Sequence, residues 1–361
     1  MFAVLYLFLV SIGMIGSAFK GLGRGFAESL FQSQASPFIG LFIGILATGL
    51  IQSSSTTTSL VVGMVAAGTF GNDPKLAVAA AVPYIMGANI GTSITNTIVS
   101  LGHIVSREEF KRAFSASVVH DFFNILAVIV IFPLELIFGV ISKFAYSMSE
   151  VLVGSGGGSF TSPVKMITKP TVKWIEGLVQ QQTIIDSNVL LLVAALSFLF
   201  FSLRNLTKLI KSLVMLKLQA FFDTHIFRTT IRAMFFGVII TILVQSSSIT
   251  TSLVIPLAGA GILSLRQIFP YTLGANIGTT VTSLLASMVS GTIAPLAVAL
   301  SHLTFNILGI GVLWPIKRVR ELPIYLAEWF SALATKNKLY PLLYIFIVFF
   351  VIPLSLISIV R

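Results

Sequence analysis

The chain contains no cysteine, which excludes disulfides, thiol nucleophiles and thiolate metal sites together. It is also poor in charge. Asp, Glu, Lys and Arg make up 10% of 361 residues, where soluble domains carry about 25%. The shortage is deepest for acids: 12 Asp and Glu stand against 23 Lys and Arg. Of the acids, only Asp121 and Glu135 fall within an apolar stretch of spanning length, so coupling to protons through intramembrane carboxylates has little to work with. What fills the chain instead is apolar, 56% of the residues. Stretches near the roughly 20 residues a helix needs to cross a bilayer occur at Met1–Phe19, Val118–Val140, Val189–Leu203 and Leu339–Val360. The first has no basic leader and runs into more membrane sequence, so it reads as a transmembrane helix (1–18) and not as a signal peptide. The composition requires an all-α polytopic membrane protein.

The formal net charge of +11 would suit nucleic acid, but its distribution argues against that partner. The basic residues gather at the ends of apolar segments: Arg107, Lys111 and Arg112; Arg204, Lys208, Lys211, Lys217, Arg228 and Arg232; Lys317, Arg318 and Arg320. Cytoplasmic loops facing anionic lipid are charged in this way. The sequon Asn205-Leu206-Thr207 lies in the most basic of these segments, inside the cell and out of reach of glycosylation.

The polar residues that do occur are duplicated. Gln52–Leu60 reads QSSSTTTSL and Gln245–Leu253 reads QSSSITTSL, eight of nine identical at an offset of 193. Pro83-Tyr84 leads into GANIGT at Gly87–Thr92, and Pro270-Tyr271 leads into GANIGT at Gly274–Thr279, an offset of 187. His120-Asp121-Phe122-Phe123-Asn124 pairs with His302-Leu303-Thr304-Phe305-Asn306 at 182. The first drop in offset matches extra residues around Gly71–Pro74. This is one element order repeated with variable loops.

Repeat one is assigned to 19–141 and repeat two to 189–315, with the duplicated sequence of the second beginning near Leu203. In each, two apolar halves too short to cross a bilayer flank the QSSS run, which predicts a re-entrant hairpin (36–68; 229–261) with QSSS at its tip. The next segment (76–101; 268–289) is long enough to cross, but GANIGT predicts a broken helix; the alternative for its two glycines is close helix packing. Three crossings separate the hairpins, an odd number, so the repeats are expected to have inverted topology. A glycine-rich inter-repeat loop (142–188) then lies outside and the basic segments inside, while Lys20 and Arg24 fall on the side the positive-inside rule disfavours. An interfacial amphipathic helix is expected over Arg204–Phe222. A loop and a last transmembrane helix occupy 316–361.

Hydroxyls and amides in apolar segments are costly unless used. Hydroxyl and carbonyl oxygens suit a hard cation such as sodium, and N–H groups at a half-helix N-terminus suit an oxyanion. Gln52 and Gln245 offer a carbonyl for a cation and an amide for an anion. Thr92 and Thr95, mirrored by Thr279 and Thr282, are three apart and share a helix face. Asn89 and Asn276 add oxygens. Ser and Thr can otherwise back-bond to their own helix. Asp121 with His120 is the candidate pair for proton coupling, but repeat two has Leu303 in place of the acid, so the pair is not part of the duplicated site; the alternative, an interhelical hydrogen bond near the membrane face, is favoured.

QSSS twice, GANIGTSITNT at Gly87–Thr97, REEFKRAF at Arg107–Phe114 and VHDFFN at Val119–Asn124 resemble the type II sodium-dependent phosphate cotransporters, over about Phe31–Asn124 and Phe227–Asn306. The resemblance implies a symporter, not an enzyme. It would import inorganic phosphate with sodium as coupling ion and no other cofactor, with a homodimer left open. By match, phosphate would be held by Gln52, Ser53, Ser54, Ser55, Gln245, Ser246, Ser247 and Ser248. Sodium would be held by Gln52, Ser55, Asn89, Thr92, Thr95, Gln245, Ser246, Ser248, Asn276, Thr279 and Thr282. Alternating access would move the hairpin core, by an elevator-like slide more than by rocking. Animal members carry a cysteine-bearing glycosylated loop and regulatory tails that are lacking here, so a bacterial-type protein of an inner membrane is expected. The rival readings are carriage of sulfate or a carboxylate, an anion channel, and an intramembrane hydrolase using His120 or His302 as base. The first would favour arginine clamps and the second a continuous polar pore. The third would need one singled-out serine.

Overall fold

The computed structural model describes residues 3–7, 9–11, 13–14, 17–18, 36–153, 163–181, 186–198, 201–202, 205, 226–227 and 229–360. Among them there are helices and turns but no strands. The described residues between 3 and 18 are helical and anchor on a later helix, where the Tyr6 hydroxyl lies 2.6 Å from Thr171 Oγ1.

Helix α1 (Pro37–Ile51) starts on a Ser36 cap with proline in its first turn. Helix α2 (Ser54–Ala67) ends on Gly68 at φ +82°. At 15 and 14 residues they are about 22 and 21 Å long, short of a hydrocarbon core of about 30 Å. Asp73 caps α3 (Pro74–Gly91) by accepting the Lys75 and Leu76 N–H groups; this turn holds the inserted residues that shift the repeat offset. Helix α4 (Ile94–Ser100) continues into a 3-10 turn (Leu101–His103), and α5 (Arg107–Phe138) ends on Gly139 at φ +62°. After α6 (Val140–Val153), α7 (Pro163–Gln180) and α8 (Ser187–Phe198) comes the second copy: α9 (Thr230–Val244), α10 (Ser247–Ser252), α11 (Ile255–Gly259), α12 (Leu265–Ser290) and α13 (Ile293–Leu313). Helix α14 (Lys317–Ala334) precedes α15 (Leu339–Phe346), a π-turn (Ile347–Val351) and α16 (Ile352–Val360). The π-turn sits just before Pro353, which has no N–H to continue the α pattern.

Among the described residues, four segments are long and apolar enough to cross a membrane: Pro74–His103, Arg107–Phe138, Ile293–Leu313 and Leu339–Ile359. Together with the apolar composition, they make the chain an integral membrane protein.

In each copy the first arm packs tightly on the GANIGT helix, α1 on α3 and α9 on α12. Glycine permits it. A Cβ on Gly87 would overlap the Leu41 carbonyl oxygen, and one on Gly274 the Met234 carbonyl oxygen. Gly44 and Gly237 are equally pressed, against the Tyr84 and Tyr271 carbonyls. The GANIGT glycines therefore serve close helix approach, the alternative to breakage.

The expected break is found in one copy and corrected in the other. In repeat one the helix stops at Gly91 and resumes at Ile94. In repeat two α12 runs unbroken from Leu265 to Ser290, so the predicted interruption within 268–289 is absent. Repeat two breaks elsewhere, between α10 and α11. There Pro256 stands where α2 has Gly63, and a proline cannot donate the helix hydrogen bond.

The described parts of 142–188 are largely helical (α6, α7 and the start of α8), not loop. Ile141, Ala145 and Ser149 recur at helical spacing as the buried edge of α6. The segment after 316 is likewise the helix α14. The amphipathic helix expected over 204–222, the GSGGGS stretch, Lys20 and Arg24 lie outside the described residues, apart from Asn205.

Candidate functional site

The first two residues of each QSSS run, Gln52-Ser53 and Gln245-Ser246, form the links between α1 and α2 and between α9 and α10, and the last two serines open the second helix. Gln52 (φ 58°) and Gln245 (φ 56°) are the only non-glycine residues at positive φ among those described. A side chain in this conformation costs roughly 1–2 kcal/mol, so the same cost is met twice at the same motif position. Each Gln N–H bonds back to the helix it ends, at Thr48 O and Thr241 O. Each following serine, Ser53 and Ser246, adopts extended backbone and caps the next helix, accepting from Thr56 N and Ile249 N.

The glutamine side chains are spent the same way in both copies. Gln52 Nε2 donates to Gly49 O, and Gln245 Nε2 donates to Ile242 O at 2.6 Å. Gln52 Oε1 accepts from Thr95 Oγ1 at 3.0 Å, and Gln245 Oε1 from Thr282 Oγ1 at 2.7 Å. The amide nitrogen expected to face an anion is thus committed to the helix end, and the oxygen faces the paired threonine.

Thr92 and Thr279 do not share that role. They back-bond to Ala88 O and Ala275 O, at 3.0 and 3.1 Å. Asn89 and Asn276 turn away from the linkers altogether. Asn276 Oδ1 lies 2.6 Å from His120 Nε2, and Asn89 Oδ1 lies 3.3 Å from His302 Nε2.

The third serines meet the opposite repeat. Ser55 Oγ donates to Gln245 O at 3.4 Å, and Ser248 Oγ donates to Thr92 O at 3.2 Å. The second contact falls on the carbonyl where α3 stops, a local reason for the break there. Nearby, Asn96 Nδ2 donates to Thr251 Oγ1 at 2.7 Å, and Asn96 Oδ1 accepts from Ser252 Oγ at 2.9 Å. Ser54, Ser55, Ser247, Ser248, Thr279 and Thr282 are all buried, as are Asn89, Thr92 and Asn276. The copies differ in access: Gln52 is exposed and Thr95 half-buried, whereas Gln245 and Thr282 are buried.

Sequence reasoning missed two features. Asn96, Thr251 and Ser252 stitch the repeats together, and the partial mirroring of GANIGTSITNT and QSSSITTSL was the available signal. The histidines, read above as possible bases, are hydrogen-bonded to amides of the opposite repeat. Asp121 does make the interhelical bond expected of it, accepting from the Tyr344 hydroxyl at 3.0 Å. Glu135 accepts the Ile141 and Ser142 N–H groups at the start of α6. Among the described residues no cluster of three or more His, Asp or Glu side chains could hold a metal ion.

The sequence profile described as Na+/Pi-cotransporter matches residues 7–156 and 198–337, the two repeats with their flanks. Sodium-dependent phosphate transport protein 2A of Ovis aries is 33% identical over 432 residues, covering 98% of this chain and 66% of that protein. Sodium-dependent phosphate transport protein 2B of Homo sapiens is 32% identical over 447 residues, covering 97% and 63%. The chain thus spans somewhat less than two thirds of the length of these relatives. No solved structure matches it. The matched blocks and the relatives agree that the chain belongs to the Na+/Pi-cotransporter family.

Proposed function

We propose that the chain is a sodium-coupled symporter that imports inorganic phosphate across the cell membrane, in a bacterial inner membrane. The repeats run from 19 to 141 and from 189 to 315. They are inverted, and each QSSS run is the tip of a re-entrant hairpin. The observation that carries the reading is the twin link geometry. In both copies a glutamine held in the left-handed conformation presents its side-chain oxygen to a threonine of the neighbouring helix.

Sodium takes oxygen ligands. In this proposal one sodium site forms on Gln52 Oε1, Thr95 and Ser55, and another on Gln245 Oε1, Thr282, Ser246 and Ser248. Thr92 and Thr279 support them from about one turn away, and Asn89 and Asn276 from about two. Phosphate sits between the links, on the hydroxyls and N–H groups of Ser53–Ser55 and Ser246–Ser248. Bound sodium offsets part of the phosphate charge, so each ligand raises the affinity of the other. Access alternates by movement of the linked hairpins against the remaining helices, and the exposed Gln52 against the buried Gln245 supports a state open at one half only.

The test is radiolabelled phosphate uptake into proteoliposomes under an inward sodium gradient, with an equal potassium gradient as control. Accumulation with sodium alone, competed by arsenate but not sulfate, is the expected result. Sodium-independent equilibration would replace the symporter with a channel, and sodium-driven flux of another oxyanion would replace the substrate. Gln52→Gly and Gln245→Gly separate conformation from coordination: glycine accepts the backbone angle but removes the oxygen. Both should retain the wild-type unfolding temperature to within a few degrees and lose about tenfold or more in sodium-dependent uptake.

A further inference from the structure

We propose that His120 and His302 are positioning residues that hold each repeat's ion-binding face to the other repeat. The inference rests on the transport reading above. It starts from the third duplicated motif, His-x-x-x-Asn, which the linker sites leave without a role. His120 and Asn124 lie one turn apart on α5, and His302 and Asn306 one turn apart on α13. All four are fully buried or nearly so, where a polar side chain is costly unless paired.

Their partners cross the symmetry. The His120 ring of repeat one reaches Asn276 of repeat two, and the His302 ring of repeat two reaches Asn89 of repeat one. Each asparagine of the motif then grips its own repeat. Asn124 Nδ2 donates to Asn89 O at 2.9 Å, and Asn306 Nδ2 donates to Asn276 O at 3.1 Å. The roles follow from amide chemistry. Asn276 Nδ2 donates to Asn124 Oδ1 at 2.9 Å, so its oxygen is the atom facing the imidazole. An amide oxygen only accepts, so His120 Nε2 carries the proton. Asn89 Nδ2 donates to Ile85 O, which gives His302 the same assignment.

This brace ends at the ion-binding faces. Asn276 lies three and six residues before Thr279 and Thr282 on the unbroken α12, and Thr282 holds Gln245. Asn89 lies two residues before the end of α3 and three before Thr92, whose carbonyl receives Ser248 of the other repeat. Displacing either asparagine with its helix therefore moves Thr282, which holds Gln245, or the Thr92 carbonyl, which receives Ser248. The two arms are unequal. His120 to Asn276 is short, at 2.6 Å, and Asn276 also holds Asn124. His302 to Asn89 is 3.3 Å, and Asn306 Oδ1 has no hydrogen-bond partner among the described residues. The slack arm serves the half whose glutamine is exposed, and the tight arm serves the half whose glutamine is buried.

The test compares two polar replacements at each histidine. Glutamine places an amide N–H near the position of Nε2; asparagine falls short of it. Sodium activation of phosphate uptake is measured in proteoliposomes containing matched amounts of folded protein. His120→Asn is expected to raise the sodium concentration for half-maximal uptake about fivefold or more, His302→Asn to raise it by less, and His120→Gln to restore the wild-type value. Asn276→Ala should match His120→Asn, and the double variant should be no worse than either. Unchanged sodium activation in both Asn variants, with only the yield of folded protein reduced, would overturn the proposal. Unfolding temperature in detergent against sodium concentration provides a readout independent of flux. If the wild type carries no phosphate but is stabilised by sodium, the transport reading fails. The brace then stands if His120→Asn shifts that sodium titration, and falls if it does not. If sodium changes neither flux nor unfolding, both ideas fall.

Discussion

The two repeats share their polar motifs almost residue for residue and still fold with their interruptions in different places. Repeat one keeps α2 whole and breaks after GANIGT; repeat two keeps α12 whole and breaks after QSSSITTSL. The differences trace to single substitutions. Pro256 stands opposite Gly63 and ends α10. Asn96 stands opposite Ser283: the longer amide crosses to Thr251 and Ser252, while Ser283 only back-bonds to Thr280 O. The mirror hydroxyl, Ser59 Oγ, is left without a hydrogen-bond partner among the described residues. Even the serines that cross between repeats land differently, Ser55 on a link and Ser248 on a helix end. A duplicated chain therefore need not give two equal halves. Identical motifs set which polar groups each half carries, and their unlike neighbours decide where each half breaks and which glutamine is exposed.

Three sets of substitutions would break or sharpen this comparison. The largest effect is expected where the repeats agree. Gly87→Leu or Gly274→Leu forces a side chain into the backbone of the facing helix, and neither variant should yield monodisperse folded protein by size-exclusion chromatography. Next comes the difference at α2 and α10. Gly63→Pro, which imposes on α2 the break that repeat two already has, should destabilise by about 3 kcal/mol, while Pro256→Gly should cost under about 1 kcal/mol; thermal unfolding in detergent reads both. Equal costs would show that the break in repeat two is set by its surroundings and not by proline. The smallest concerns the stitch. Asn96→Ser should lose about 1–2 kcal/mol by removing buried cross-repeat hydrogen bonds. The reciprocal Ser283→Asn should be neutral or mildly stabilising, because Ser59 gains an amide within its half of the symmetry. A strongly destabilised Ser283→Asn would mean that repeat two leaves no room for the longer side chain.

Much of the architecture was legible before any coordinates. The helices on either side of each link begin and end near residues that mark helix limits in the sequence: Ser36 and Thr229 cap the starts, and Gly68 and Gly261 follow the ends at positive φ. The end of α5 at Phe138 falls on a residue of the same kind, Gly139 at positive φ. The connections at 142–188 and after 316 were harder. Amphipathic helices such as α6 and α14 carry the polar residues that loops also carry, and only the surface they cover tells the two apart. GANIGT misled in repeat two because glycine serves two ends, breaking a helix or letting another approach. A one-dimensional pattern does not contain the carbonyl of Leu41 or Met234 that settles the choice.

By itself the sequence determined a cysteine-free, acid-poor membrane protein built twice from the same polar motifs, since apolar composition and exact repetition need no partner to be read. Tertiary structure decided which atoms those motifs present. It turned each glutamine nitrogen back onto its own helix and left the oxygen for a threonine. It sent each GANIGT asparagine to a histidine of the other repeat, and it buried one link glutamine while leaving the other exposed. The physical reason is that a buried polar atom must find a partner, and in this fold the nearest partner often belongs to the opposite repeat, between about 150 and 213 residues away in the chain.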